Sequence, residues 1–139
     1  LITSVLNDLV AKLKRVGRKA IFQYLDVATA MRNLYQFDNA YIIANSYLVV
    51  YEVGTPWYVE PGTEVLSEVL VLRLAVSGDF SVVPAFLDRK ALEAGCKLVL
   101  AGTALASSDA ALASLYHKHG FKTATHTLTK EPRWADYSA

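Results

Sequence analysis

The chain carries a single cysteine, a single methionine and four prolines in 139 residues, and each scarcity narrows what it can be. Cys96 has no partner for an internal disulfide, so burial must hold the fold, and a reducing cytoplasm is the expected setting. No apolar run approaches the roughly 18 residues that span a bilayer, and the N-terminus alternates polar with apolar residues, so no membrane role is expected. Neither sign of charge prevails. With 14 Lys and Arg against 13 Asp and Glu, the net charge of +1 gives no long-range attraction to nucleic acid, which is not expected as a partner. Internal repeats, a phosphate-binding P-loop, a G-x-S-x-G elbow and a zinc-ligand spacing are all missing, which lowers hydrolase and nucleotide-triphosphatase readings. His117 and His119 fall on different faces of one helix and His126 adds no ligand spacing, so no metal is expected.

What the chain does have is apolar mass. A hydrophobic share of 53% against 19% charged residues is enough for one core of ordinary size. A single domain over 1–139 is expected, with a helical N-terminal part (1–37), a sheet part (38–130) and a C-terminal tail (131–139). Ile2, Val5, Leu6, Leu9, Val10 and Leu13 recur at helical spacing, with Thr3 or Ser4 as the N-cap. The basic run Lys12, Lys14, Arg15, Arg18 and Lys19 reads as a solvated face. A short strand is predicted over Ala20–Leu25, then a helix capped by Asp26 with Val27, Met31, Leu34 and Tyr35 on its apolar face.

From Ala40 the period becomes extended. Runs 41–44 and 47–53 predict a hairpin turning at Asn45-Ser46, and the loop 54–64 holds the aromatic pair Trp57-Tyr58. The run EVLVLRLAV (68–76) predicts a central strand covered on both faces. A helix (82–94), a strand (97–101), a helix (109–119) and a final strand (121–130) follow. That alternation predicts an α/β layering.

In LYHKHGF (115–121), Leu112, Leu115, Tyr116 and His119 share a helix face, so Tyr116 points inward. Gly120 supplies a left-handed helix stop and Phe121 the apolar contact that accompanies one. The element order, the strand ending LRLAV and the segment DAALASLYHKHGFK together resemble the GNAT superfamily of acyl-CoA N-acyltransferases over roughly residues 38 to 130. The chain also looks like the short members of that fold found in tailed-phage genomes.

The resemblance implies a GNAT-like α/β fold: a mixed, mostly antiparallel sheet, helices on both faces, and a V-shaped splay between the fourth and fifth strands. It implies transfer of an acetyl group from acetyl-CoA to an amine acceptor. Tyr116 would protonate the departing thiolate, Glu68 is the candidate base, and strand amides near Leu74 and Val76 would hold the pantetheine arm. Asp109 stands where the family has asparagine, although a helix N-cap is the better explanation of it. The family's diphosphate turn corresponds to residues 77–86, and there the chain departs: Ser81, Pro84 and Phe86 occupy the places of the Arg/Gln and two glycines, with Asp79 alongside. Gly78, Ser81 and the amides of Val82 and Val83 remain as cofactor candidates, with Ser81 as an N-cap and weak or lost coenzyme A binding expected. The alternative function is an inactive GNAT-like virion or assembly component in the host cytoplasm or the particle, acting through protein partners or a homo-oligomer. Glu60 and Glu64 rank behind Glu68, and Cys96 reads as a buried inert thiol.

Overall fold

A computed structural model describes residues 1–133 of the chain. The elements run α1 (Ile2–Val16), a 3₁₀ turn (Ala20–Tyr24), α2 (Val27–Leu34), β1 (Asn39–Ile43), β2 (Tyr47–Gly54), β3 (Val65–Arg73), α3 (Val82–Glu93), β4 (Leu98–Leu100) and α4 (Asp109–His117). The four strands lie in the order β1-β2-β3-β4; β1 and β3 run antiparallel to β2, and β4 runs parallel to β3. Mostly antiparallel pairing with one parallel strand added through a helical crossover is the mixed, GNAT-like α/β layout that the resemblance implies.

Side-chain alternation along β2 builds a core on each face. Tyr47, Val49 and Tyr51 join Leu66 of β3 against Val83, Phe86, Leu87 and Ala91 of α3. Leu48 and Val50 face the other way, with Leu70 and Leu72, toward Leu6 of α1 and the flank of α2. Burial on both sides explains why 47–51 is apolar without a break. The register slips between β2 and β3: Val50 faces Leu70 but Tyr51 faces Glu68, so Val69 is an extra residue in β3. The bulge reverses the faces, which is why Leu66 belongs to one core and Leu70 to the other although both are even-numbered.

Several local expectations are corrected. Ala20–Tyr24 is a 3₁₀ turn that seats Phe22, 1% exposed, and not a strand. The predicted fourth and fifth strands are therefore β3 and β4. Thr3 and Ser4 lie inside α1, which Leu1 precedes without a side-chain cap. Asp26 does cap α2, accepting from the Thr29 amide at 3.1 Å, but Tyr35 is exposed. The hairpin turns one residue early, with Ala44 and Asn45 at positive φ and the Ser46 amide donating to the Ile43 carbonyl. The predicted strand over 121–130 does not form; its residues after Phe121 are exposed and have no regular secondary structure. The tail expected over 131–139 lies outside the described residues from 134 onward. Among the described residues no helix is long and apolar enough to cross a membrane.

Candidate functional site at the strand fork

β3 and β4 pair only at Val65 with Leu98, Leu66 with Val99 and Ser67 with Leu100. Beyond that point β3 continues to Arg73 without β4, so the two strands part as the sequence predicts. The bulge stands at the point of parting, where its extra residue bends β3 away. A polar side chain is needed there, because separating two strands leaves backbone groups without ladder partners. Glu68 fills the role: its Oε2 accepts a hydrogen bond from the Gly102 amide at 3.2 Å, just past the end of β4.

The same wedge position governs its acidity. Burial pushes the Glu68 carboxyl up to about 7, only partly opposed by the hydrogen bond from Gly102. Glu68 and Leu70, two residues apart in β3, do not share a face, because the bulge falls between them. The tertiary position of Glu68 singles it out nevertheless.

Tyr116 reaches the same region from α4. Ser108 opens that helix, accepting from the Ala111 amide at 3.2 Å, and Gly120 ends it at φ +90°, a value a side-chain-bearing residue rarely adopts. Phe121 packs on the Tyr116 ring at 5.0 Å between centroids, and Phe80 meets its other side at 5.2 Å. The residue is 4% exposed, yet its hydroxyl makes no hydrogen bond with the described residues and is not sealed from solvent. Burial first, and then the nearby Glu68 charge, raise the Tyr116 pKa, so the phenol stays protonated at neutral pH. Leu115 and His119, predicted on the same inward face, are exposed; the helix buries Tyr116 and little else.

The other candidates separate from this pair. The Leu74 amide donates to the Ser46 carbonyl at 2.6 Å, so it closes the end of the hairpin, and Val76 is 93% exposed in the turn beyond β3. Neither is a strand residue. Gly78 packs so closely on the hairpin that a Cβ would meet that of Ser46 at 2.8 Å, and its carbonyl accepts from Arg73 at 2.7 Å and Tyr47 at 3.3 Å. Ser81 is not a side-chain cap; its own amide donates to Asp79 Oδ1 at 3.0 Å. That bond, with help from the Ser81 side chain, holds the Asp79 carboxyl below its ordinary value. The Val82 and Val83 amides, expected to stand free, donate to the carbonyls of Asp79 and Phe80 at 3.3 and 2.9 Å.

These contacts decide how the turn would meet coenzyme A. A diphosphate at the start of α3 would need free amides and a positive end to the helix, and here an internal carboxylate already holds that end. The turn does not fit a diphosphate. Pro84 and Phe86 are buried, with Phe86 in the core that α3 makes with the sheet, so the positions where the resemblance calls for glycines serve packing.

Asp109 is the first residue of α4 and not its cap; its carboxylate pairs with Lys19 at 2.5 Å. Gly102 and Lys19 were not singled out in the sequence. A glycine after a short strand and the last member of a basic run carry no signal of their own. Trp57 and Tyr58 stand out from the surface, 94% and 71% exposed, and cover no end of the core. Cys96 is half-buried; burial, then the Glu64 charge, push its thiol up. His117 turns to Thr123 at 3.3 Å while His119 lies against Phe80.

Comparison with known proteins bears on the fold. No family model matches the chain, and no curated protein does. Among solved structures, the crystal structure of a transcriptional regulator from Bacillus halodurans C-125 is similar, with a TM-score of 0.55 and 17% identity over 90% of this chain and 93% of that one. At that identity the likeness is one of fold. The regulator is not described as an acyltransferase, and with no family model matching, the assignment to the GNAT superfamily is corrected to a likeness of architecture. The physical reason is visible in the motif: Gly120 and Phe121 are accounted for by the helix stop and the packing on Tyr116, which many folds need.

Proposed function

We propose that the fork between β3 and β4 is an acyl-transfer site that moves an acyl group, most simply acetyl, from a thioester to an amine. The observation that carries the reading is Glu68, a carboxylate held where the strands part with its pKa near working pH, beside a tyrosine that keeps its proton. The amine nitrogen attacks the thioester carbonyl, and the C–N bond forms as the C–S bond breaks. Glu68 takes the proton the nitrogen loses, and the Tyr116 hydroxyl gives one to the departing sulfur. Such roles call for a base near neutral pH and an acid that is not ionised, which is how burial has set the two groups.

Because the 77–83 turn does not fit a diphosphate, the reading rests on the thioester end of the donor and not on a nucleotide grip. Weak binding of acetyl-CoA accompanies it. The free thiol of Cys96 suits a reducing cytoplasm, the setting proposed with this reading.

The test is thiol release. Wild type, Glu68→Gln and Tyr116→Phe would each be incubated with an amine panel and two donors, acetyl-CoA and a short acetyl thioester without the nucleotide. Amine-dependent thiol release by wild type, lost in both variants, supports the site. Release that is absent for every amine, or equal in all three proteins, sinks it.

A further inference from the structure

We propose that Lys19 is a positioning residue for the fork, a staple that fixes the loop joining Glu68's hydrogen-bond donor to the helix that carries Tyr116. The inference deepens the acyl-transfer reading and rests on it for its functional meaning, but its geometry stands alone.

The loop from Gly102 to Ser108 has a fork group at each end. Its first residue donates the amide that Glu68 accepts, and its last caps α4, whose one buried residue is Tyr116. Among the described residues the loop backbone is tied to itself by one tight turn, the Ala106 amide to the Thr103 carbonyl at 2.9 Å, while at its end the Ser108 carbonyl accepts from the Leu112 amide at 3.3 Å and the Thr103 side chain bonds Asp109. A segment so sparsely bonded would set the spacing of Glu68 and Tyr116 loosely.

Lys19 supplies the missing constraint from the N-terminal helical part. Its ammonium lies 2.7 Å from the Thr103 carbonyl, 3.4 Å from the Ala104 carbonyl and 2.5 Å from Asp109 Oδ1. An ammonium has three N–H donors, and here three oxygens from the loop and the first turn of α4 surround it. The side chain is only 27% exposed, and its ammonium lies 5.5 Å from the centre of the Phe22 ring, which is itself buried. The staple is thus anchored in packed structure and not in solvent. The pairing also holds the Asp109 carboxyl below its ordinary value, with Lys19 the largest cause. A surface ion pair alone would contribute little. Two backbone carbonyls gripped by the same charge make this a constraint on chain path as well.

The consequence is specific. Removing the ammonium takes the tie to the N-terminal part from the Thr103 and Ala104 carbonyls and leaves the loop only its internal bonds, so the neighbouring Gly102 amide is held less firmly against Glu68. A merely stabilising lysine would weaken every element together.

The experiment uses the full chain without any substrate, so it reads separately from acyl transfer. Amide hydrogen exchange and the Glu68 carboxyl titration would be followed by NMR in wild type, Lys19→Met, Lys19→Arg and Asp109→Asn, with Glu68→Gln to assign the carboxyl. In Lys19→Met, exchange at Gly102 should quicken on the order of tenfold and the Glu68 midpoint should rise, because its opposing hydrogen bond is weakened, while Val49 and Leu66 exchange as before. Asp109→Asn should shift both in the same direction by less, and Lys19→Arg should stay nearer wild type. Unchanged Gly102 exchange and Glu68 midpoint in Lys19→Met overturn the proposal, as does a uniform loss of protection across the sheet. If Lys19→Met does not fold, Asp109→Asn decides: a change confined to the loop supports the staple, and no change overturns it. Absence of acyl transfer in wild type would leave these readings intact and count only against the function.

Discussion

Two polar regions lie close to the end of β3, and they have met opposite fates. In the 77–83 turn the amides of Gly78, Ser81, Val82 and Val83 are internally satisfied, with Asp79 holding the helix end and Arg73 and Tyr47 closing on the Gly78 carbonyl. In the fork, Glu68 has one hydrogen bond and a displaced pKa, and the Tyr116 hydroxyl has no bond within the described residues. A region whose polar groups are all paired is finished as structure. One whose carboxyl is largely desolvated and whose hydroxyl still reaches solvent retains the capacity to exchange protons. On the proposed reading, chemistry belongs to the fork and the turn belongs to the scaffold.

The largest effect should come from breaking the fork. Glu68→Gln and Tyr116→Phe are each expected to lower acyl-transfer turnover on the order of a hundredfold, with the melting temperature of Tyr116→Phe nearly unchanged because its hydroxyl makes no bond to lose. Turnover measured beside a thermal melt checks both halves. The rate in wild type should also rise with pH through the neutral range as Glu68 ionises, and that rise should vanish in Glu68→Gln.

Stability against pH sharpens the same side of the contrast. Glu68 has its folded pKa raised from 4.5 to about 7, so the folded chain keeps a proton that the unfolded chain releases across that window. Stability contributed by this group is therefore full below the lower value and lost as pH rises toward 7. Allowing for partial exposure, the loss is about 2 kcal/mol. Glu68→Gln should flatten this slope in denaturant titrations between pH 5 and 8, and a variant with the same slope as wild type would remove the argument from burial.

On the other side of the comparison, Gly78→Ala tests whether the turn is structural. A methyl group there would meet Ser46 and Tyr47 at 2.8 and 3.0 Å, which should destabilise by about 1 to 2 kcal/mol in urea unfolding. A neutral result would mean the turn is looser than its contacts indicate.

The smallest effect is expected from acetyl-CoA itself. A ligand at a hundredfold its dissociation constant adds about 2.7 kcal/mol to stability, and millimolar acetyl-CoA should add far less than that. Thermal-shift and calorimetric titration check it, with Asp79→Asn expected to improve the response by removing the carboxylate that holds the helix end. A large stabilisation of wild type would erase the distinction between the two regions.

Local rules carried much of the molecule into view. The helices, the hairpin, the long apolar strand, the Asp26 cap and the Gly120 stop are each set by neighbours in sequence, through periodicity, capping and backbone sterics, so composition and spacing determined them. Where a segment's fate hangs on a distant partner, the pattern misled. Residues 121–130 have strand-like composition yet form no strand, and the strand-like run Ala20–Leu25 is a 3₁₀ turn that seats Phe22. The tertiary structure alone decided the fork. An extra residue at Val69 reverses the faces of β3, parts it from β4 and leaves Glu68 at the split, where burial by remote elements sets its acidity. It also decided that Lys19, one charge among several in a basic run, grips a loop some 85 residues away. Helix and strand periods depend on near neighbours, but desolvation and charge pairing depend on what the fold brings together, and one chain read alone does not contain those distances.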